Sequence, residues 1–130
     1  MIVVDASAMV EGLIGRDLDT EMLDVLAGAL AAPYLLDVEV MSALRGLHLG
    51  GKLDVAIAEQ AVQDHFAFTI SRYGIEPMAQ RIWQLRHQFT TYDACYLALS
   101  EALDAPLYTC DSKLASSGHS ADVRVVPTTH

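Results

Sequence analysis

Short apolar segments that can form buried strands alternate along this chain with longer segments that have helical periodicity. Ile2–Val4 is a β-branched run that ends at Asp5, and Leu107–Cys110 is a later apolar run that ends at Asp111. Strands separated by helices favour a mainly parallel sheet that is covered on both faces. The pattern therefore predicts an α/β fold, a three-layer α/β/α sandwich with a mainly parallel central sheet.

The chain has 130 residues, a length that predicts a single domain over residues 1–130. Further short strands are predicted at Phe68–Tyr73 and Val123–Val126. The predicted helices are Ala8–Ile14, Thr20–Leu30, Leu36–Leu47, Val55–Phe66, Pro77–His87 and Thr91–Leu103. In the helix Pro77–His87, Trp83 is expected to pack against the rest of the protein, and the alternative is a platform on which bases of a nucleic acid stack.

The composition excludes several classes of protein. A hydrophobic fraction of 52% with 19% charged residues excludes a disordered chain. The longest weakly polar stretch, Val25–Leu36, is too short to cross a bilayer, and Met1–Asp5 has no basic flank typical of a signal peptide. Two cysteines make no disulfide framework. We expect a cytoplasmic protein that makes no contact with a membrane.

The formal net charge of −9 is unusual for a protein that binds nucleic acid through its own field. Two alternatives follow. Either the chain does not bind nucleic acid, or cations and a local basic patch provide the attraction. A pocket of carboxylates filled by a divalent metal would reconcile the charge with a nucleic-acid substrate.

The helix Thr91–Leu103 carries an acid in its first turn. Thr90 or Thr91 can cap its free N–H groups. On a helical wheel the predicted buried face contains Thr91, Ala94, Cys95, Ala98 and Ala102, whereas Asp93, Ser100 and Asp104 lie on another face. Taken alone, Asp93 could simply complement the helix dipole, a contribution of about 0.3–1 kcal/mol.

Glu39 occupies an unusual position for a glutamate in another predicted helix, Leu36–Leu47. It lies at the border of the apolar stripe, about 60° from Leu36 on the wheel. A glutamate is rarely buried unpaired, so this position calls for a cation, a hydrogen-bonding partner or a metal. The alternative is a side chain that turns to solvent or pairs with Arg45.

Four acidic residues are predicted to lie close together at one rim of the sheet. Asp5 and Asp111 end predicted strands and Asp93 begins a helix, so all three should lie at the same rim of a parallel sheet, where Glu39 could join them. Clustered carboxylates are tolerable when they are protonated or bound to hard cations such as Mg²⁺ and Mn²⁺. The implied chemistry is phosphoryl transfer to a metal-activated water.

Four segments of the chain contain these acids together with their flanking residues. They are Val3–Ser7, Asp37–Arg45, Thr91–Leu99 and Leu107–Leu114. Taken in order, they resemble the successive motifs of the PIN-domain family, and more narrowly those of VapC-type toxins of bacterial and archaeal toxin–antitoxin pairs. The similarity extends over essentially the whole chain.

The resemblance implies a Mg²⁺- or Mn²⁺-dependent endoribonuclease. Asp5, Glu39 and Asp93 would hold the metal, and Asp111 would contribute directly or through water. Ser7 and Thr109 match polar positions that support the first and fourth acids. The resemblance also implies an RNA substrate, a homodimer, and a cognate antitoxin protein that covers the active site. The candidates for contact with RNA are Arg45, Arg86 and Lys113.

Other functions stay open at this point. A PIN-type nuclease could act in RNA maturation or repair without being a toxin. A receiver-like or dehalogenase-like domain would use Asp5 as a phosphoryl acceptor, although Ser7 stands where dehalogenase-type enzymes have a second Asp. A non-enzymatic binding module would use the acids only as helix caps, and metal would not stabilise it.

Overall fold

The computed structural model describes residues 1–130 and contains five strands and six α-helices. Single turns of 3₁₀ helix cover Glu76–Met78 and Ser112–Ala115. The strands are β1 (Ile2–Val4), β2 (Leu30–Pro33), β3 (Ile70–Tyr73), β4 (Leu107–Thr109) and β5 (Val123–Val125). The helices are α1 (Ala6–Ile14), α2 (Thr20–Ala27), α3 (Leu35–Leu49), α4 (Val55–Ala67), α5 (Ala79–Gln84) and α6 (Thr91–Leu103).

All five strands are parallel, in the order β3-β2-β1-β4-β5. The chain first moves outward from β1 through β2 to β3, and then returns to place β4 on the other side of β1. Val3 is accordingly in register with Ala31 of β2 and with Leu107 of β4. The sheet therefore reverses its direction of winding between β1 and β4, the position at which open α/β sheets bind their ligands.

Helices cover both faces of this sheet. α1, α3 and α4 pack against one another, whereas α5 packs against α6, and α6 contacts β1, β2 and β4. Right-handed crossovers place the two groups on opposite faces, because the chain moves in opposite directions across the sheet to make them. The predicted three-layer α/β/α sandwich is confirmed.

The core is built mainly from aliphatic side chains of the sheet and of α6. The central strand β1 contributes Val3 and Val4, and α6 is buried over seven consecutive residues, Ala94–Ser100. A helix buried on nearly all sides is fixed rigidly by its neighbours. None of the six helices has the length and apolar content needed to cross a membrane.

The structure differs from several sequence-based expectations. Leu30 belongs to β2, because α2 ends at Ala27 before Gly28. The predicted faces of α6 are wrong at both ends: Thr91 and Ala102 are exposed, whereas Ser100 is buried. Ser100 is satisfied in the interior because its hydroxyl donates a hydrogen bond to the main-chain oxygen of Ala105, 2.5 Å away.

Trp83 was expected to pack, and it does not. It belongs to the short helix α5, and 67% of its surface is exposed. Met78, Ile82 and Leu85 fill the buried face of this segment instead.

Candidate functional site

Asp5 lies where β1 ends and α1 begins, at the carboxyl rim of the sheet. It caps α1: its Oδ1 accepts a hydrogen bond of 2.9 Å from the main-chain N–H of Ala8. Only 6% of the residue is exposed. A buried carboxylate is costly unless hydrogen-bond donors surround it, so its other partners matter.

Those other partners are the hydroxyl groups of Ser7 and Thr109. Ser7 Oγ donates to Asp5 Oδ1 over 2.7 Å, and Thr109 Oγ1 donates to Asp5 Oδ2 over 2.5 Å. Each hydroxyl also accepts a main-chain N–H, from Cys110 in the case of Ser7 and from Asp111 in the case of Thr109. Since a hydroxyl has one proton, these N–H groups leave that proton for Asp5, and the ionised form of Asp5 fits the arrangement.

This network also ties the ends of β1 and β4 together across the reversal point of the sheet. Asp111 follows β4 by two residues and caps the short 3₁₀ turn, with its Oδ1 accepting a hydrogen bond of 3.0 Å from the N–H of Lys113. Thr109 thus contacts both the first acid and the main chain of the fourth. Thr109 was expected to support Asp111, and in the structure it also makes a direct hydrogen bond to Asp5.

Asp93 lies in the first turn of α6, as predicted. Thr90 is the N-cap, and its Oγ1 accepts a hydrogen bond of 3.2 Å from the N–H of Asp93. The Asp93 carboxyl is half-buried, and the charge of Asp111 raises its pKa whereas the charge of Lys113 lowers it. The start of α6 is therefore placed beside the end of β4.

Glu39 reaches this rim from α3 and meets Tyr96 of α6. Tyr96 is buried, with 2% of its surface exposed, and its hydroxyl donates a hydrogen bond of 2.6 Å to Glu39 Oε1. Tyr96 follows Asp93 by three residues, so both lie on one side of α6. The sequence-based reasoning missed Tyr96, although this spacing was the signal that could have revealed it. The alternative pairing of Glu39 with Arg45 does not occur among the ion pairs of the structure.

Three of these carboxyl groups have raised pKa values, and negative neighbours are part of the cause. Burial raises the pKa of Asp5, and Asp93 adds to it against the opposing hydrogen bonds. Burial raises the pKa of Glu39, and both Asp5 and Asp93 contribute. Burial also raises the pKa of Asp93, with a further contribution from Asp111. The acids therefore act on one another electrostatically.

The donor set is chemically suited to a hard divalent cation. Carboxylate oxygens are the ligands that Mg²⁺ and Mn²⁺ prefer, and a cation would relieve the repulsion that raises these pKa values. As the side chains stand, no three His, Cys, Asp or Glu residues of the chain converge closely enough to hold a metal ion. The assignment of Asp5, Glu39, Asp93 and Asp111 to one metal centre stays a prediction.

The three basic candidates for RNA contact have different surroundings. Lys113 acts on the acids, because its charge lowers the pKa of Asp93. Arg45 lines a separate groove between α3 and α4, and Arg86 lies over the exposed ring of Trp83, 4.8 Å from its centroid. Of the three, Lys113 is the one whose charge acts on Asp93, and the contact of all three with RNA stays a prediction.

A cleft of about 610 Å³ opens beside the acids, between α1 and α3. Its walls include Ser7 and Glu39, and the α3 side continues along small residues to Gly46. Thr128 and His130 form another part of the wall. The sequence-based reasoning did not assign any role to this segment.

Comparison with known proteins gives a family match over most of the chain. The model of the PIN domain matches residues 2–118. Ribonuclease VapC9 of Mycobacterium tuberculosis is 36% identical to this chain over 128 residues, which cover 98% of this chain and 99% of the relative.

Two solved structures have a similar fold. VapC20 of Mycobacterium tuberculosis, a toxin that cleaves the sarcin-ricin loop, superposes with a TM-score of 0.67 at 14% identity, covering 95% of this chain and 99% of that one. A toxin–antitoxin complex from Klebsiella pneumoniae gives a TM-score of 0.58 at 17% identity, covering 96% of this chain and 97% of that one. At these identities the likeness concerns the fold.

Proposed function

We propose that this chain, which belongs to the PIN domain family and within it to the VapC ribonucleases, cleaves RNA with the help of Mg²⁺ or Mn²⁺. It is the endoribonuclease toxin of a toxin–antitoxin pair. Asp5, Glu39 and Asp93 would hold the cation, and Asp111 would complete the site directly or through water. The reaction is hydrolysis of a phosphodiester bond of RNA.

The observation that carries this proposal is the set of interacting acids at the rim between β1 and β4. Beside burial, Asp93 raises the pKa of Asp5, both of these acids raise that of Glu39, and Asp111 raises that of Asp93. A cation would therefore bind favourably among these carboxylates. When bound, such a cation lowers the pKa of a water molecule and offsets negative charge on the reacting phosphate.

The remaining parts of the site orient these acids. Ser7 and Thr109 direct their protons at Asp5 and so favour its ionised form, while Tyr96 fixes one oxygen of Glu39. The ammonium group of Lys113 is near enough to Asp93 to attract a phosphate to the same rim. The chain thus supplies a positioned set of oxygen ligands and one positive charge.

We further propose that the protein acts in the cytoplasm as a homodimer silenced by a cognate antitoxin. Large apolar side chains on the surface support the presence of protein partners, among them Tyr34 and Val38 at the start of α3 and Tyr92 at the start of α6. An antitoxin that covers the acids would present positive charge to them, which suits a protein of net charge −9.

Cleavage of total cellular RNA by the purified, antitoxin-free protein tests the proposal. We expect discrete cuts with Mg²⁺ or Mn²⁺, none in EDTA and none from Asp93→Asn, with the fragment ends identified by sequencing. Asp104→Asn is the matched control, because Asp104 lies at the opposite end of the same helix in an exposed position, and its left-handed backbone (φ 48°) tolerates Asn.

Two results would contradict the proposal. Metal-dependent cutting by folded Asp93→Asn at the wild-type rate would show that Asp93 is not part of the site. Cutting in EDTA would show that the reaction needs no metal ion. Growth arrest on expression, relieved by Asp93→Asn, is expected of a toxin. Harmless expression of an active wild type would instead favour a nuclease of RNA maturation or repair.

A further inference from the structure

Glu11 is a buried carboxylate that no part of the proposed chemistry uses. It lies on α1, and only 1% of the residue is exposed. All the hydrogen bonds to its carboxylate come from two residues far along the chain. Thr129 donates both its main-chain N–H and its hydroxyl to Oε1, and His130 Nδ1 lies 2.8 Å from Oε2. A buried charge satisfied in this way is a strong tether, because leaving it unpaired would be costly.

The surroundings of Glu11 fix the direction of these bonds. Thr129 Oγ1 accepts the main-chain N–H groups of Arg16 and Asp17, over 2.9 and 3.1 Å, so its single proton is left for Glu11. Gly15 lies directly against the carboxylate, and a Cβ atom there would collide with Glu11. The end of α1 is thus shaped around this contact.

The tether determines the state of the His130 ring. An ionised carboxylate is only an acceptor, so Nδ1 of His130 carries a proton and donates it to Glu11. Nε2 is the ring nitrogen that remains for another partner. The side chain is 21% exposed and lines the cleft between α1 and α3 that also contains Ser7 and Glu39.

We propose that His130, oriented by Glu11, contacts the RNA strand in this cleft through Nε2. The inference rests on the proposed ribonuclease function. His130 is the only side chain of the ten that line the cleft that can carry positive charge or donate a ring N–H. A phosphate held at the acids requires the neighbouring nucleotide to pass along an adjoining surface, and the cleft adjoins Glu39. Its volume of about 610 Å³ lies in the range of small-molecule sites and is large enough for one nucleotide.

The occupant is RNA in this proposal, and the ring is suited to it in two ways. A protonated imidazole donates a charge-assisted hydrogen bond to a phosphate oxygen, and a neutral one accepts from a ribose hydroxyl or a base. Glu11 is a positioning residue here, since it acts on RNA only through His130.

The substitution His130→Asn separates the tether from the contact. The amide nitrogen of Asn takes the place of Nδ1 and can still donate to Glu11, but nothing replaces Nε2. We expect His130→Asn and His130→Ala to lower kcat/KM for cleavage of total cellular RNA by roughly ten- to a hundredfold, mostly through KM, the effect of one lost hydrogen bond that involves a charged group. His130→Asn should keep the wild-type melting temperature. His87→Ala is the control, because His87 is exposed and lies outside the cleft.

A second measurement does not depend on cleavage. In EDTA, a random-sequence RNA hexamer is titrated into full-length protein with ¹⁵N-labelled histidines, and the ring signals are followed by NMR. The His130 signals should shift, whereas those of His119, which bonds to the main-chain oxygen of Leu114, should not.

The outcomes separate the two proposals. Wild-type cleavage with an unperturbed His130 ring and a fully active His130→Asn would overturn the contact and leave the ribonuclease function intact. A shifted His130 ring without any cleavage would support the contact and contradict the ribonuclease.

Discussion

Replacing Tyr96 by Phe should weaken metal binding without disturbing the fold. The substitution keeps the buried ring and removes only the hydroxyl that donates to Glu39 over 2.6 Å. Glu39 would lose the donor that fixes one of its oxygens. Because the other groups around Glu39 that affect its charge are the acids Asp5 and Asp93, no second donor is at hand to replace it except water.

The expected size of the effect follows from the charge on Glu39. A hydrogen bond to a charged group has a net value of about 1.5–3 kcal/mol, and each 1.4 kcal/mol corresponds to a factor of ten in an equilibrium constant. Glu39 is only half-buried, so water can replace part of the lost bond and the lower end applies. We expect the Mn²⁺ dissociation constant to rise about tenfold, with kcat at saturating Mn²⁺ nearly unchanged.

The pH dependence gives a readout that a purely structural role would not change. The Tyr96 hydroxyl lowers the pKa of Glu39 by stabilising its ionised form. Its removal raises that pKa, so the acid limb of the rate profile should move to higher pH. Tyr108→Phe is the matched control, since Tyr108 is also buried and its hydroxyl donates to a carboxylate, that of Glu21, outside the site.

Isothermal titration with Mn²⁺ and the pH profile of cleavage would measure both effects. An unchanged Mn²⁺ affinity and an unshifted acid limb in folded Tyr96→Phe would refute the role of Tyr96 in orienting Glu39. An equal loss in Tyr108→Phe would point to a general effect on packing.

Three further outcomes are expected. Thr109→Val should lower the free energy of unfolding, measured in urea, by about 2–4 kcal/mol, because it leaves an oxygen of buried Asp5 and the N–H of Asp111 without a partner. A change within about 0.5 kcal/mol, the usual size for surface substitutions, would contradict the role of Thr109 in this hydrogen-bond network. Mn²⁺ at about 100 times its dissociation constant should stabilise the native state by about 2.7 kcal/mol, seen as a higher melting temperature, and the absence of any shift would favour acids that only cap helices. The Arg81 guanidinium, together with weaker contributions from the N–H and hydroxyl of Ser120, lowers the pKa of Glu101 from 4.5 to about 2. The stabilisation that this ion pair gives the folded state is complete above pH 4.5 and is lost as the pH falls towards 2. Arg81→Met should therefore destabilise the protein by about 1–2 kcal/mol at pH 6, after allowance for solvent screening, and by much less at pH 2. An equal loss of stability at both pH values would exclude the ion pair as the cause.

The sequence was sufficient to predict the architecture and the neighbourhood of the acids. Strand ends can be recognised from short apolar runs, and in a parallel sheet all of them lie at one rim, so Asp5 and Asp111 were expected on the same rim. The pairing of β1 with β4 places them at the ends of adjacent strands. Asp93 followed from the cap of α6 in the same way. These predictions depend on local pattern and on topology, and both are strongly constrained by burial.

The partners of the acids could not be predicted because they depend on contacts between distant segments. A wheel for α6 assumes one buried face, but this helix is covered on nearly all sides, so the wheel misplaced Ser100. The spacing of three residues between Asp93 and Tyr96 placed them on one side of the helix, but it could not show that Tyr96 reaches Glu39. Glu11 was assigned no role for the same reason. Its donors, Thr129 and His130, lie more than a hundred residues away and carry no periodic signal.

The buried polar contacts of this protein share a physical logic that links its acidic charge to its site. Asp5 and Glu39 each lie where hydroxyl groups donate to the carboxylate and where no lysine or arginine forms an ion pair with it. Hydrogen bonds from neutral groups hold these acids in place without cancelling their charge, whereas an ion pair would compete with a metal or with a basic partner. The arginine pairs, such as Arg81 with Glu101, lie elsewhere. The negative field at the rim is thus kept available for a cation, and Thr109, Ser7 and Tyr96 are the residues whose hydroxyl groups make that possible.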